Sequence, residues 1–192
     1  MAESGVTSQG REDFVQVTFE PLDLRALVAW VSDPRAGAVT TFSGVTRNHH
    51  NGKKVMRLEY QGYQPMAEKE LRGICVEVRE KWDVINVAVV HKLGPTAIEE
   101  ASVIVAVSSV HRRDGLEATH FAIDALKARV PIWKLEVYEG DSRVWKENVE
   151  WKGGTCCRPM VPVARASSGN ATETNPGPAS EHCEANQHHH KA

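Results

Sequence analysis

No apolar run in this chain approaches the length that a membrane-spanning helix needs. Its first residues, Met1 to Arg11, are small and polar, unlike a signal peptide. Cysteine is scarce. Of four in 192 residues, Cys75 stands alone in a helical pattern, Cys156 and Cys157 are adjacent, and Cys183 lies in a polar stretch. That spacing does not resemble a disulfide framework. A metal site of Cys156, Cys157, Cys183 and the histidines near the C-terminus would lack the usual paired-ligand spacing. An excess of one charge is missing too: 23 Lys and Arg face 25 Asp and Glu, a net charge of −2. No global basic field therefore points to nucleic acid, and no acidic run to a solvating tail. Neither a phosphate-loop signature, a dinucleotide fingerprint nor an internal repeat occurs. The expectation is a soluble, cytoplasmic protein with no membrane or nucleic-acid partner.

What is present is a run of short, well-marked elements. Residues 1–12 and 153–192 are expected to be disordered, the latter rich in Ser, Gly, Asn, Thr, Pro and Glu. They flank one domain over 13–152. Phe14 to Phe19 alternates and predicts a strand. Pro21-Leu22-Asp23 opens a short helix through Trp30. Gly37 to Gly44 is β-rich, and Arg47 to Gly52 reads as a polar loop with Asn51-Gly52 as its turn signal. Val55 to Tyr63 predicts a strand and Pro65 to Trp82 a helix. Val84 to Leu93 and Ala101 to Val110 are dense in β-branched residues and suit central strands, with a loop from Gly94 to Glu100 between them. A helix from His111 to Val130 and a strand from Ile132 to Tyr138 follow. Strands outnumber helices and several neighbours form hairpins. The pattern predicts an α+β fold, helices packed on a largely antiparallel sheet in an α/β-hammerhead-like arrangement, rather than a doubly wound one.

One residue breaks the pattern. Leu116, His120, Ile123, Lys127 and Val130 recur at the spacing of one helix face, with Thr119 and Leu126 beside it and Glu117 and Asp124 on the solvated side. Lys127 thus sits within an apolar stripe, where an unpaired ammonium is costly. It can snorkel outward, pair with a buried carboxylate, or line a cleft with other cations and become a usable base or nucleophile. The helix is entered through Ser108-Ser109-Val110-His111-Arg112-Arg113, a cationic turn at a helix N-terminus, which favours anions. Simple pairing of these residues with Asp114 or Glu117 is the alternative. Arg47 ends a strand and opens a loop, a position open to a binding residue or a plain exposed one. His49 and His50 read as loop residues, and His91 as a satisfied sheet histidine. His120 either borders the site or is a hydrogen-bonded core residue.

Four segments in order carry a resemblance. They are Thr41-Phe42-Ser43-Gly44-Val45-Thr46-Arg47-Asn48; Leu58-Glu59-Tyr60 with Met66-Ala67-Glu68; Val107-Ser108-Ser109-Val110-His111-Arg112; and Asp124-Ala125-Leu126-Lys127-Ala128-Arg129-Val130-Pro131-Ile132-Trp133-Lys134. Together they resemble the large, catalytic subunit family of molybdopterin synthase, from about Phe14 to Trp151. The resemblance implies a sulfurtransferase of molybdenum cofactor synthesis. Its substrate would be cyclic pyranopterin monophosphate (precursor Z), given two sulfurs from the C-terminal thiocarboxylate of a small ubiquitin-like subunit. It implies a homodimer of large subunits within a heterotetramer, with an active site able to borrow residues across the dimer, and no metal or cofactor of its own. The family's functional positions fall on Arg47, His111, Arg112, Lys127 and Lys134. Arg47, His111 and Arg112 would hold phosphate and pterin, Lys127 the reacting carbons, Lys134 the thiocarboxylate tail or pterin, and Phe42 the pocket wall. The resemblance gives Arg113 no role and residues 161–192 no counterpart. Two other classes fit less of the sequence. One is a non-catalytic scaffold for a ubiquitin-like partner, which needs no buried lysine. The other is a small RNA-binding domain, against which the near-neutral charge and the lack of an exposed aromatic platform argue.

Overall fold

A computed structural model of the chain describes residues 13–140 and 142–146. The expectations for residues 1–12 and 153–192, and the metal option at Cys156, Cys157 and Cys183, lie outside the described residues. The densest β-formers take the centre. β5 (Val84–Lys92) and β7 (Ala101–Ser109) pair antiparallel in the middle of a four-stranded sheet, with β1 (Phe14–Thr18) beside β5 and β2 (Ala38–Val45) beside β7. β1 joins β5 in parallel, and the other recorded pairings are antiparallel.

Both faces of this sheet are covered, which is why β5 and β7 read as continuous apolar runs. On one face, Val87, Val89, Val105 and Val107 pack under α2 (Gln64–Lys81) and α3 (Arg112–Arg129), against Leu71, Ile74, Val78, Ala118, Ala122 and Leu126. On the other, Ala88, Val90, Ile104 and Ala106 meet Leu27 and Val31 of α1 (Leu24–Val31). Asp23 caps α1 by accepting from the Ala26 amide at 3.1 Å. Cys75, on α2, is a free buried thiol. Among the described residues no helix is long and apolar enough to cross a membrane.

A second sheet is built around β4 (Lys53–Gly62). β8 (Ile132–Tyr138) lies along one side and β9 (Arg143–Lys146) beyond it. On the other side run β3 (His49–His50) and β6 (Gly94–Ala97). Two of these strands correct the sequence reading. The polar stretch after Arg47 is a hairpin: Asn51 at φ 49° and Gly52 at φ 74° make the tight turn that joins β3 to β4. The expected loop from Gly94 to Glu100 contains β6. Gly94, at φ 78°, turns the chain out of β5, and its strand lies along Arg57–Tyr60 of β4. Glu100 holds the return to β7, accepting from the Ala97 amide at 2.8 Å and pairing with the buried Lys92 ammonium.

The stripe on α3 is also rotated from the expected one. Ile123, Thr119, Leu126 and Val130 are buried, but Leu116 is 56% exposed, and His120 is exposed and sits 3.4 Å from Asp124. The inner line of the first turns runs through Gly115, Ala118 and Ala122 instead. A Cβ at Gly115 would lie 2.7 Å from Thr40 Oγ1 and 2.8 Å from Ser109 Oγ. Only small residues fit where the helix approaches the sheet this closely.

Candidate active site

Where the C-terminal half of α3 leaves the first sheet and faces the second, a cavity of about 360 Å³ opens. That volume suits a small molecule. Phe42 and Gly44 of β2, Ser102 and Val103 of β7 and His91 of β5 form one wall; Leu58 and Tyr60 of β4 with Lys134 and Glu136 of β8 form another. Ile123, Leu126 and Lys127 approach from α3, and Arg47, His49 and His50 from the segment after β2. Gly44 keeps its wall thin, since a Cβ there would lie 2.7 Å from Val103 Cγ1.

The two sheet residues on β8 follow from strand periodicity. Lys134 and Glu136 are two apart and so share a face, and they stand across from Tyr60 and Leu58 of β4. Glu136 is 4% exposed and accepts the Tyr138 hydroxyl, which holds that phenol protonated up to about 12. Lys134 is half-buried. Burial, followed by the nearby charges of Lys127, Arg47 and Lys146, disfavours its ammonium and pushes its pKa down, while Glu136 works in the opposite direction. Tyr60 is pushed up, chiefly by burial, although its hydroxyl bonds Ser102.

Four of the residues singled out in the sequence, Phe42, Arg47, Lys127 and Lys134, therefore meet in one cleft. His111 and Arg112 do not join them. His111 is the N-cap of α3, without a side-chain cap bond, and both residues are exposed. Arg112 is 15 positions before Lys127, so about 22 Å of helix separates them at 1.5 Å per residue. Within one chain the cationic turn and the special lysine occupy opposite ends of α3. Arg113 takes the plainer alternative, donating to Glu117 at 2.8 Å one turn on. His120 does not border the cleft. Sequence reasoning missed Tyr60, Ser102 and Glu136. Of these, Glu136 carried a signal in its two-residue offset from Lys134. His91 is satisfied at Nδ1, as expected of a sheet histidine, yet it also lines the cleft.

A concave, small-molecule-sized site holding Arg47, Lys127 and Lys134 against a buried carboxylate, on an α+β frame, has the form of an enzyme cleft suited to an anionic small molecule. Its relatives make the class specific. The MoaE protein family model matches residues 17–129. The molybdopterin synthase catalytic subunit of Bos taurus is 52% identical over 139 residues, covering 72% of this chain and 74% of that protein. Its Homo sapiens counterpart is 50% identical over 139 residues, covering 72% and 73%. The crystal structure of molybdopterin synthase from Staphylococcus aureus superposes with a TM-score of 0.65 at 40% identity, over 68% of this chain and 94% of that one. The chain belongs to the MoaE family, that of molybdopterin synthase catalytic subunits, and it is an enzyme of that kind.

Proposed function

We propose that the chain converts cyclic pyranopterin monophosphate to molybdopterin in the cytosol, taking two sulfurs from the C-terminal thiocarboxylate of a small ubiquitin-like subunit. The observation that carries this reading is the convergence of Arg47, Lys127 and Lys134 on one cleft. A phosphate and a thiocarboxylate are both anions, and charge-assisted bonds from these three side chains can hold them. Lys134 gains from their arrival, because an incoming anion offsets the burial and the neighbouring cations that act against its charge. Lys127 faces the reacting carbons as general acid/base or as a cation that stabilises developing oxyanions. Each transfer forms a carbon–sulfur bond to the pterin side chain while a carbon–oxygen bond at the same carbon breaks, its oxygen leaving as water or staying on the opened phosphate ester. Water must then cleave the acyl–sulfur bond, returning the small subunit as a carboxylate. The reaction calls for no bound cofactor, since the sulfur comes with the partner and the pterin is the substrate.

His111 and Arg112 enter from a second copy of the chain, in a homodimer core that carries a small subunit at each end. Their exposure, and the length of α3 between them and Lys127, support a site completed across a dimer. The test is reconstitution: the chain, a thiocarboxylated small subunit and precursor Z are mixed, and molybdopterin is read as its fluorescent oxidation product. Product from wild type that disappears in Lys127→Ala, with small-subunit binding intact, supports the reading. A stable complex that yields no product from wild type would overturn it.

A further inference from the structure

His91 is built into the cleft wall more firmly than any other imidazole there. It is 5% exposed, lies across from Val103 of β7, and lines the same cavity as Lys127 and Lys134. Its Nδ1 is 2.8 Å from the carbonyl oxygen of Lys92. A carbonyl can only accept, so Nδ1 carries the hydrogen, and Nε2 of the neutral ring is left as a bare acceptor. Tyr60 meets the ring edge-on, with centroids 5.1 Å apart and planes at 74°, which fixes the imidazole plane. Burial keeps the ring neutral, pushing its pKa down to about 4.

A neutral acceptor fixed in the wall complements the three cations of the cleft. Arg47, Lys127 and Lys134 are donors suited to the oxygens of a phosphate. A pterin ring also presents N–H donors of its own, which lose water on entering a cleft and need acceptors. Glu136 uses one acceptor site on the Tyr138 hydroxyl, and the Ser102 hydroxyl donates to the Gly44 carbonyl at 3.3 Å and also bonds Tyr60. We propose that His91 binds substrate directly, its Nε2 accepting a hydrogen bond from an N–H of the pterin ring and so fixing which edge of the ring faces the β5–β7 wall. The proposal rests on the pterin reading of the cleft given above.

Two isosteric halves of histidine separate this role from a structural one. Asparagine places a polar group near Nδ1 and can keep the bond to the Lys92 carbonyl, whereas glutamine reaches the position of Nε2. In the reconstituted assay H91N is expected to raise KM for precursor Z about tenfold or more, as loss of a buried hydrogen bond does. Its thermal midpoint should stay near that of wild type, and H91Q should keep KM within a few-fold. A wild-type KM in H91N, or equal losses in both variants together with a fall in thermal midpoint, would overturn the role of His91 and leave the pterin reading standing. No molybdopterin from wild type would overturn both. A measurement on the unmodified protein needs no variant to fold: the 15N resonance of His91 Nε2 should move on addition of precursor Z, and an unmoved resonance counts against the proposal.

Discussion

Lys127 and Lys134 reach one cleft by different periodicities, the first from a helix face and the second from alternate positions of a strand, where it shares a face with Glu136. Removing either ammonium deletes a preorganised charge from a partly dry site. Lys127→Ala and Lys134→Ala should each lower kcat/KM by about 10²–10³-fold, the usual cost of one electrostatic stabiliser, with little change in thermal midpoint. Arg47 is among the charges that depress Lys134. Arg47→Ala should therefore raise the Lys134 pKa, which Nζ-detected NMR titration would follow; a downward shift would contradict the arrangement. His91 supplies a stability signature. Its folded pKa is about 4, below the ordinary 6.5, so between those values the unfolded chain binds a proton that the folded chain refuses. The contribution is complete above pH 6.5 and is lost as pH falls toward 4, on the order of 3 kcal/mol. Urea unfolding of wild type should show this slope, and H91Q should flatten it.

Elements long enough to repeat their period were legible in the sequence, and those that are not were missed. β5 and β7 announced themselves as central because a strand covered on both faces has no polar alternation to show. β3 and β6 span two and four residues, too few for alternation to appear, and β9 with four is equally short. Helix α3 was found to within one residue at each end but with its inner line misplaced. Pattern reading weights bulky apolar residues, while the closest helix–sheet approach is made by the smallest ones, Gly115, Ala118 and Ala122. Leu116 and His120 therefore entered the expected stripe although both face outward. The half of the stripe that was right, Ile123 to Val130, is the half that borders the cleft, and so the lysine was found. Gly115→Ala tests the close approach. The added methyl must displace the hydroxyls of Thr40 and Ser109, and about 1–3 kcal/mol of stability should be lost on denaturant unfolding, as overpacking costs. A neutral substitution would mean that the helix has room to shift.

At the scale of the molecule, the two cationic features of α3 cannot meet within one chain, because the helix between them is a rigid spacer of about 22 Å. A two-fold axis removes the difficulty. In the proposed dimer, α3 of one copy opposed to α3 of the other would exchange ends, so each cleft would receive the partner's His111–Arg112 turn and lend its own, giving two identical composite sites. That arrangement is testable without a structure of the dimer. Arg112→Ala and Lys127→Ala should each be nearly inactive alone, since every site in either homodimer carries one defect. When the two variants are co-expressed so that subunits scramble, half of the dimers are mixed. Each mixed dimer holds one cleft with both substitutions and one with neither, so activity should return to about a quarter of wild type. A site contained in a single chain predicts no recovery at any mixing ratio. Purifying the mixed dimer through two different affinity tags should double the recovered activity to about half of wild type, an outcome that exchange of the small subunit alone cannot produce.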